Sequence, residues 1–140
     1  MAVDTIAGLK AKMPANTPGG TTIADMHDLI DTVEDRTSQS IVAQTGTAYT
    51  AALTDNRRRI TFDNAAAITF TIPNNVPVGW ECLIMQLGAG QVTVAVTGGN
   101  LRSRDNHTRT AGQYAQAYMW CYANAGTAPQ IAFSGDTAAA

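Results

Sequence analysis

Apolar and polar residues alternate at every second position in several short segments of the chain. Ile60 and Phe62 share one face of the segment RRITFD (58–63). The segments AITFTI (67–72) and QVTVAV (91–96) repeat the pattern. A period of two is that of a β-strand with one buried and one outward face. Gly, Pro, Asn and Asp separate the segments and predict turns. We therefore predict a mainly β fold for residues 41–140, an antiparallel β-sandwich or barrel-like domain.

A glycine-rich turn separates two apolar runs in the segment LIMQLGAGQVTVAV, residues 83–96. Gly88 and Gly90 supply the backbone freedom that a tight turn between two strands needs. We therefore predict that the two runs form a β-hairpin.

The pattern before residue 40 has a helical period instead. Thr22 can cap a helix, because Asp25 follows three residues later and places a negative charge in the first turn. The helix is predicted to run from about residue 23 to about residue 38, with an apolar stripe along one side. The stripe consists of Ile23, Met26, Ile30 and Val33. Residues 1–40 are therefore predicted to form an N-terminal helical arm.

Two alternatives are open for what covers this apolar stripe. It packs either on the chain's own β domain, or on copies of itself or a partner, as the a and d positions of a coiled coil do. Two heptads bury only a few side chains, and association entropy opposes them. Any oligomer should therefore depend on the β domain or on a template as well.

The segment GQYAQAYMWCYA (112–123) also alternates, and both of its faces are usable. Small and apolar residues occupy one face. The aromatic residues of the other face are Tyr114, Tyr118, Trp120 and Tyr122. If these residues face outward, they form a large amphipathic contact surface. If they pack inside, they belong to the core, and this is the interpretation that we favour.

Charged residues make up 14% of the chain, against about 25% in typical globular proteins. This shortage indicates a surface that partners cover. The formal net charge of -2 gives no general attraction to nucleic acid or to anionic membranes. Arg57, Arg58 and Arg59 would alternate in direction along a strand, so they do not form a concerted patch for phosphates. We therefore expect neither nucleic acid nor a membrane among the partners.

The first ten residues lack the pattern of a secretory signal, and no apolar run approaches the length that spans a bilayer. We therefore expect the chain to be made in a cytoplasm, where thiols stay reduced. Cys82 and Cys121 lie in apolar strand patterns. They are predicted to be free buried thiols rather than a disulfide or a reactive thiol.

The sequence offers little that could carry catalysis. His27 and His107 have no partner at metal-ligand spacing, and the cysteines form no CxxC pair. The glycine pairs lack the arrangement of a phosphate-binding loop. We therefore expect a protein that is not an enzyme and that uses no cofactor and no metal, with a small hydrolase as the minor alternative.

Two segments carry a resemblance to structural proteins of tailed bacteriophages. The segment ITFDNAAAITFTIPNNVPVGWECLIMQLGAGQVTVAV, residues 60–96, is similar to a small β domain found in many virion proteins. The segment MPANTPGGTTIADMHDLIDTVED, residues 13–35, resembles the stretch before such domains in head-decoration, head-fibre and tail-fibre proteins. Together they cover a little under half of the chain. RTAGQYAQAYMW (109–120) is loosely similar, whereas the aromatic-rich strand and the two cysteines depart from the family pattern.

The resemblance implies a non-enzymatic virion protein, and for so short a chain a capsid decoration (cement) protein is the expected kind. Such a protein binds the major capsid protein on the outer surface of the head, and it often gathers as a homotrimer at symmetry axes. The apolar stripe then supplies candidate contacts between copies or with the capsid. The alternative is a tail-fibre or spike component that presents the β domain to a host surface, with the aromatic residues as candidate contacts.

Overall fold

The structure is a computed structural model, and it describes His27 and residues 41–140. The chain divides into two compact units, Met1–Gln39 and Ser40–Ala140. Apart from His27, the predicted helix lies outside the described residues, and so it remains a prediction. The same holds for its apolar stripe, Ile23, Met26, Ile30 and Val33.

Strands dominate the second unit, which contains eleven of them within residues 41–140. In chain order they are β1 (Ile41–Gln44), β2 (Ala48–Thr50), β3 (Arg58–Phe62), β4 (Ile68–Ile72), β5 (Glu81–Gln86), β6 (Val92–Val96), β7 (Asn100–Arg102), β8 (Arg109–Thr110), β9 (Gln116–Asn124), β10 (Pro129–Gly135) and β11 (Thr137–Ala138). One 3-10 turn, Leu53–Asp55, lies between β2 and β3. No described helix has the length and apolar composition needed to cross a bilayer.

Two sheets share these strands. Sheet A has the order β1-β3-β5-β9-β10-β7, and sheet B has the order β11-β8-β6-β4-β2. The first six strands alternate between the sheets, and each pairs in parallel with the strand two places along the chain. The chain therefore winds through three stacked coils, and each coil contributes one strand to each sheet.

The prediction of a mainly β domain with a sandwich of sheets is confirmed, but the predicted antiparallel pairing is wrong among β1 to β6. The predicted hairpin at residues 83–96 is also wrong, because β5 belongs to sheet A and β6 to sheet B. Alternation with a period of two reports one buried face, and it holds equally for parallel and antiparallel strands. The alternation therefore predicts where the strands lie in the sequence, but it does not predict which strands pair with each other.

Antiparallel strands close one end of the coil stack. β9 pairs with β5 in sheet A, and β8 pairs with β6 in sheet B. β10 folds back on β9 as a hairpin, and the short β7 pairs in parallel with β10. β1 and β7 are therefore the two edges of sheet A.

The core lies between the two sheets and is one cluster of buried side chains. Its members include Ile60, Phe62, Ile68, Phe70, Ile72, Ile84, Val92, Met119 and Ile131. Phe62 of sheet A and Phe70 of sheet B meet with ring centroids 5.5 Å apart, and Tyr49 stacks on Phe70 at 6.1 Å. Burial of each large apolar side chain stabilises the fold by about 1.5–3 kcal/mol.

Successive coils lie directly against one another where the chain turns from sheet A to sheet B. A Cβ atom added to Gly90 would lie 2.5 Å from the carbonyl carbon of Ala66, and one added to Gly88 would lie 2.5 Å from the backbone nitrogen of Asn64. The glycines are therefore needed for close approach rather than for a hairpin turn. Asn64 joins the three turns, since its Nδ2 donates to the carbonyl oxygen of Thr45 (2.6 Å) and its carbonyl oxygen accepts from the N–H of Gly90 (2.8 Å).

Candidate functional site

Strand β9 turns its aromatic side chains away from the core. Its outward aromatic residues are Tyr118, Trp120 and Tyr122, with exposed fractions of 37%, 42% and 41%. The interpretation that the aromatic residues pack inside is therefore wrong for this strand. The inner side of the strand carries Ala117, Met119 and Cys121 instead, and all three are buried.

Tyr114 is separate from these three residues. It is 64% exposed, but it lies in the turn before β9 and has a positive φ of 67°. Its N–H donates to the carbonyl oxygen of Gln86 (2.6 Å). A positive φ interrupts the alternation of a strand. The structure therefore brings three of the four aromatic candidates together and leaves Tyr114 outside the strand.

The outward residues of sheet A form one surface, which we call the outer face. Its aliphatic part consists of Leu83 and Met85 of β5 and of Ile41 of β1, with the exposed Arg59 of β3 between Ile41 and Leu83. We call this part the aliphatic half, and the aromatic half consists of Tyr118, Trp120 and Tyr122. Leu83 lies beside Tyr118 in the hydrogen-bond register, so the two halves are contiguous. Trp120 and Tyr122 meet edge to face, with ring centroids 5.9 Å apart. The apolar surface is continuous from Leu83 to the aromatic half, and Arg59 separates it from Ile41. Exposed apolar surface with a polar border is typical of contact sites.

A polar cluster borders the aromatic half on the side of β5. The hydroxyl of Tyr118 donates a hydrogen bond to Oε2 of Glu81, and Nε of Arg57 lies 3.6 Å from Oε1 of the same carboxylate. The backbone N–H of Glu81 donates to Oδ1 of Asn56 (3.0 Å). In the register of β5 and β9, Glu81 lies beside Trp120. The Glu81 carboxylate is therefore held by both of its oxygens next to an exposed indole ring.

The Tyr118 hydroxyl and the Glu81 carboxylate form a pair that resembles a nucleophile with its base. The hydrogen bond to Glu81, together with desolvation, raises the pKa of Tyr118 to about 12. An activated nucleophile needs a lowered pKa or ready loss of its proton. The phenol instead stays neutral near pH 7, and its hydrogen bond holds the carboxylate in place. The geometry of this pair therefore suits binding better than catalysis.

The backbone at Arg57 adopts a conformation that is rare for residues other than glycine. Its φ is 65°. This left-handed conformation costs about 1–2 kcal/mol for a residue with a Cβ atom. It allows the N–H of Arg57 to donate to the carbonyl oxygen of Glu81 (2.7 Å), while the guanidinium reaches the carboxylate of the same residue. Strained residues of this kind cluster at functional sites, and this one fixes the Arg57–Glu81 ion pair.

A shallow groove runs along β10 on the outer face. Two outward residues of β10 are short, Ala132 and Ser134, whereas the strands on both sides carry long outward side chains. The register places Trp120 of β9 on one side of Ala132 and Arg102 of β7 on the other. Two strand spacings, about 9.5 Å, separate β9 from β7. At Ala132 an aromatic ring and a guanidinium therefore form the two walls, and at Ser134 the groove has a wall only on the side of Tyr118.

The remaining residues that the sequence singled out are dispersed. Cys82 and Cys121 are buried free thiols, as predicted, and burial raises the pKa of each. Nδ1 of His107 lies 3.0 Å from Oγ1 of Thr137, and His27 is partly exposed. Among the residues that the structure describes, no three His, Cys, Asp or Glu side chains come together in a group that could hold a metal ion.

The outer face and its groove are thus the candidate site, and its chemistry is that of binding. Aromatic rings offer surface for stacking. The arginines and the amide, hydroxyl and carboxylate groups offer directed hydrogen bonds. No protein-family model and no curated protein matches the chain.

Sequence reasoning missed the polar part of this site. Alternation in WECLIMQL (80–87) places Glu81 on the face opposite Cys82, so the outward position of Glu81 could have been predicted. The ion pair between Arg57 and Glu81 could not have been predicted, because it depends on which strands are neighbours in the sheet. The same is true of the groove, since Arg102 lies near Trp120 only through the parallel pairing of β7 with β10.

Proposed function

We propose that this chain is a non-enzymatic structural protein of a tailed-phage virion, a decoration protein that binds the outer surface of the head. The observation that carries the proposal is the outer face, where apolar side chains of neighbouring strands lie together outside the core, whereas Leu53 and Val78 are exposed in turns. The resemblance of residues 13–35 and 60–96 to virion proteins supports the same role. The low content of charged residues, 14%, also suits a surface that partners cover.

The aliphatic half supplies the capsid contact of the β domain in this proposal. Full burial contributes about 1.5–3 kcal/mol for a side chain that starts exposed, so Ile41 would contribute up to this amount and the half-buried Leu83 and Met85 less. Lost translational freedom and ordering of side chains oppose much of this gain. A single domain therefore binds weakly through this surface alone. A homotrimer, or an arm and a β domain that contact adjacent copies of the major capsid protein, multiplies the contacts and raises the affinity.

Added contacts also explain how such a protein would stabilise a shell. A ligand that binds only the intact shell shifts the equilibrium away from rupture, by an amount that grows with its concentration and affinity. Shell opening would then have to break the decoration contacts as well as those between capsid subunits. The N-terminal arm, with its predicted apolar stripe, is the second contact element in this proposal.

Electron microscopy of the intact particle tests the location. We expect the protein on the outer surface of the head, and density for it on the tail alone would contradict the proposal. Light scattering of the purified protein, with and without residues 1–40, tests the assembly. If the truncated protein forms the same oligomer as the full-length protein, the interface lies in the β domain. If both proteins are monomers in solution, any oligomer on the particle must assemble on the capsid.

Co-sedimentation with undecorated heads tests the surface. Leu83→Lys replaces an apolar contact by a second positive charge beside Arg59 and should weaken binding about tenfold or more, the equivalent of about 1.4 kcal/mol. Thr69→Lys is the matched control, because Thr69 is an exposed strand position on sheet B. Equal binding by the two variants would rule out the aliphatic half as the contact.

A second candidate function is that of a tail-fibre or spike component that presents the β domain to a host surface. The groove beside Trp120 favours it, since an aromatic wall with polar groups opposite suits a small ligand better than a capsid subunit. Specific binding of the isolated protein to host cells, reduced in Trp120→Ala, would favour this function over decoration.

A further inference from the structure

The groove along β10 combines apolar and polar walls within a short distance. Trp120 and Tyr122 line the side of β9, with an angle of 61° between their ring planes. On the side of β7, Nδ2 of Asn100 donates to Oε1 of Gln130 (3.3 Å), and Arg102 is exposed. Ser134 adds a hydroxyl at the floor. The groove thus offers one wall for C–H groups and another for hydroxyls and negative charge.

The aromatic wall is supported from behind. Glu81 lies beside Trp120 on the side away from the groove, and Tyr118 and Arg57 hold its carboxylate. A wall that is already ordered loses little entropy when a ligand binds, and this raises affinity. The positive φ of Arg57 brings its N–H to the carbonyl oxygen and its guanidinium to the carboxylate of Glu81, the neighbour of Trp120 in the register.

We propose that this groove binds a saccharide that carries an anionic substituent. The C–H face of a pyranose ring packs on Trp120, because the face of an aromatic ring is electron-rich and C–H groups carry partial positive charge. Hydroxyls of this ring and of the next ring along the groove exchange hydrogen bonds with Ser134 in one direction and with the amides of Asn100 and Gln130 in the other. Arg102 pairs with a carboxylate, and its planar fork makes two parallel hydrogen bonds. A spacing of about 9.5 Å between the flanking strands leaves room for one sugar ring.

Other occupants fit this groove less well. A protein that covered the aromatic half would also bury the Arg57–Glu81 ion pair, and the desolvation of that pair opposes binding. A saccharide covers only the groove side of Trp120 and leaves the pair in water. Single-stranded nucleic acid needs a row of cations along its backbone, whereas Arg59 and Arg102 lie toward opposite edges of the sheet.

The saccharide site uses different residues from the capsid contact proposed above, and it does not depend on whether the protein sits on the head or the tail. Leu83→Lys should weaken binding to heads and leave saccharide binding unchanged. Trp120→Ala should weaken saccharide binding and leave binding to heads unchanged. The two proposals can therefore fail separately.

Binding of the purified full-length chain to capsular polysaccharide fragments tests the site. The fragments contain uronic acids, and each is paired with its carboxyl-reduced, neutral form. The affinity of every complex is then measured by titration calorimetry. We expect binding to at least one uronic-acid fragment and weaker binding to its neutral form.

Two variants remove the groove in different ways. Trp120→Ala deletes the aromatic wall, and Ala132→Tyr fills the floor while it keeps both walls. Each should lower the affinity at least about tenfold, the equivalent of about 1.4 kcal/mol. Tyr114→Ala is the matched control, since Tyr114 is an exposed aromatic residue outside the strand. Arg102→Gln should abolish the preference for the acidic form, and Arg104→Gln, at an exposed position beyond β7, should preserve it.

Three results would overturn the proposal. The first is that no uronic-acid fragment binds. The second is that the neutral forms bind as tightly as the acidic ones, which would remove the anionic substituent from the ligand class. The third is that both Trp120→Ala and Ala132→Tyr bind as tightly as the unchanged chain, which would place the sugar elsewhere.

Discussion

Substitution of Gly90 by alanine should strongly destabilise the β domain. The added Cβ atom would lie 2.5 Å from the carbonyl carbon of Ala66 and 2.8 Å from the carbonyl oxygen of Asn64, where ordinary van der Waals contact begins at 3.4 Å. Both neighbours are backbone atoms, so no flexible side chain can move aside. The turn after β5 must therefore shift away from the turn after β3.

The cost of this shift has two parts. Overpacking of a well-packed region costs about 1–3 kcal/mol. The shift also stretches the hydrogen bond from the N–H of Gly90 to Asn64, now 2.8 Å long, and the loss of such a bond costs about 0.5–1.5 kcal/mol. The expected loss is thus about 2–4 kcal/mol, a large part of the 5–15 kcal/mol typical of a domain. For a domain of this size the melting temperature should fall by about 4–8 °C for each kcal/mol.

Urea unfolding followed by tryptophan fluorescence measures the effect, because the buried Trp80 reports on the core. Gly112→Ala is the matched control. A Cβ atom at Gly112 meets no heavy atom within 4 Å, and the residue has no positive φ. This variant should stay within about 1 kcal/mol of the unchanged chain. If Gly90→Ala unfolds at the same urea concentration as Gly112→Ala, the coils do not stack as described.

Three further predictions concern stability and reactivity. Asn64→Ala removes the side-chain bond to Thr45 and should cost about 1–2 kcal/mol in urea unfolding, whereas no loss would show that the turns are held by other contacts. Burial and a hydrogen bond to a carboxylate raise the pKa of Tyr49 from 10.0 to about 12, so the folded state keeps a proton that the unfolded state releases. The free energy of unfolding should therefore fall as the pH rises from 10 to 12, and the fall should be smaller in Tyr49→Phe. Identical pH profiles for the two proteins would contradict a raised pKa of Tyr49. Burial also raises the pKa of Cys82 and Cys121, so a thiol reagent should label both only after unfolding, and rapid labelling at neutral pH would contradict their burial.

The strands could be predicted from the sequence because each has one buried face. The inward positions of Ile60, Phe62 and Phe70 follow directly from the alternation, and all three are buried. The pairing could not be predicted, since Gly88 and Gly90 are compatible with a hairpin turn as well as with a close approach between coils. A glycine in a sequence is compatible with a turn and with a close contact to another part of the backbone, and the sequence alone does not distinguish the two.

The candidate site was predicted in part. The alternation on β9 identified the row that contains Trp120, but composition alone suggested that large aromatic residues belong inside. The inner side of β9 carries Ala117, Met119 and Cys121 instead, and all three are buried. Which face of a strand is buried depends on neighbours that are distant in the sequence. The groove depends on them even more, because its walls come from β7 and β9.

The order of strand pairing also has a consequence for how the chain folds during synthesis. Among the described strands, only β9 and β10 are both adjacent in the chain and paired with each other, and every other pair has at least one strand between its members. Closing long loops before contacts form slows folding. The one hairpin that can form locally, β9–β10, is synthesised after the coils. The β domain should therefore reach its native state only once β10 has emerged from the ribosome, because sheet A is incomplete before then.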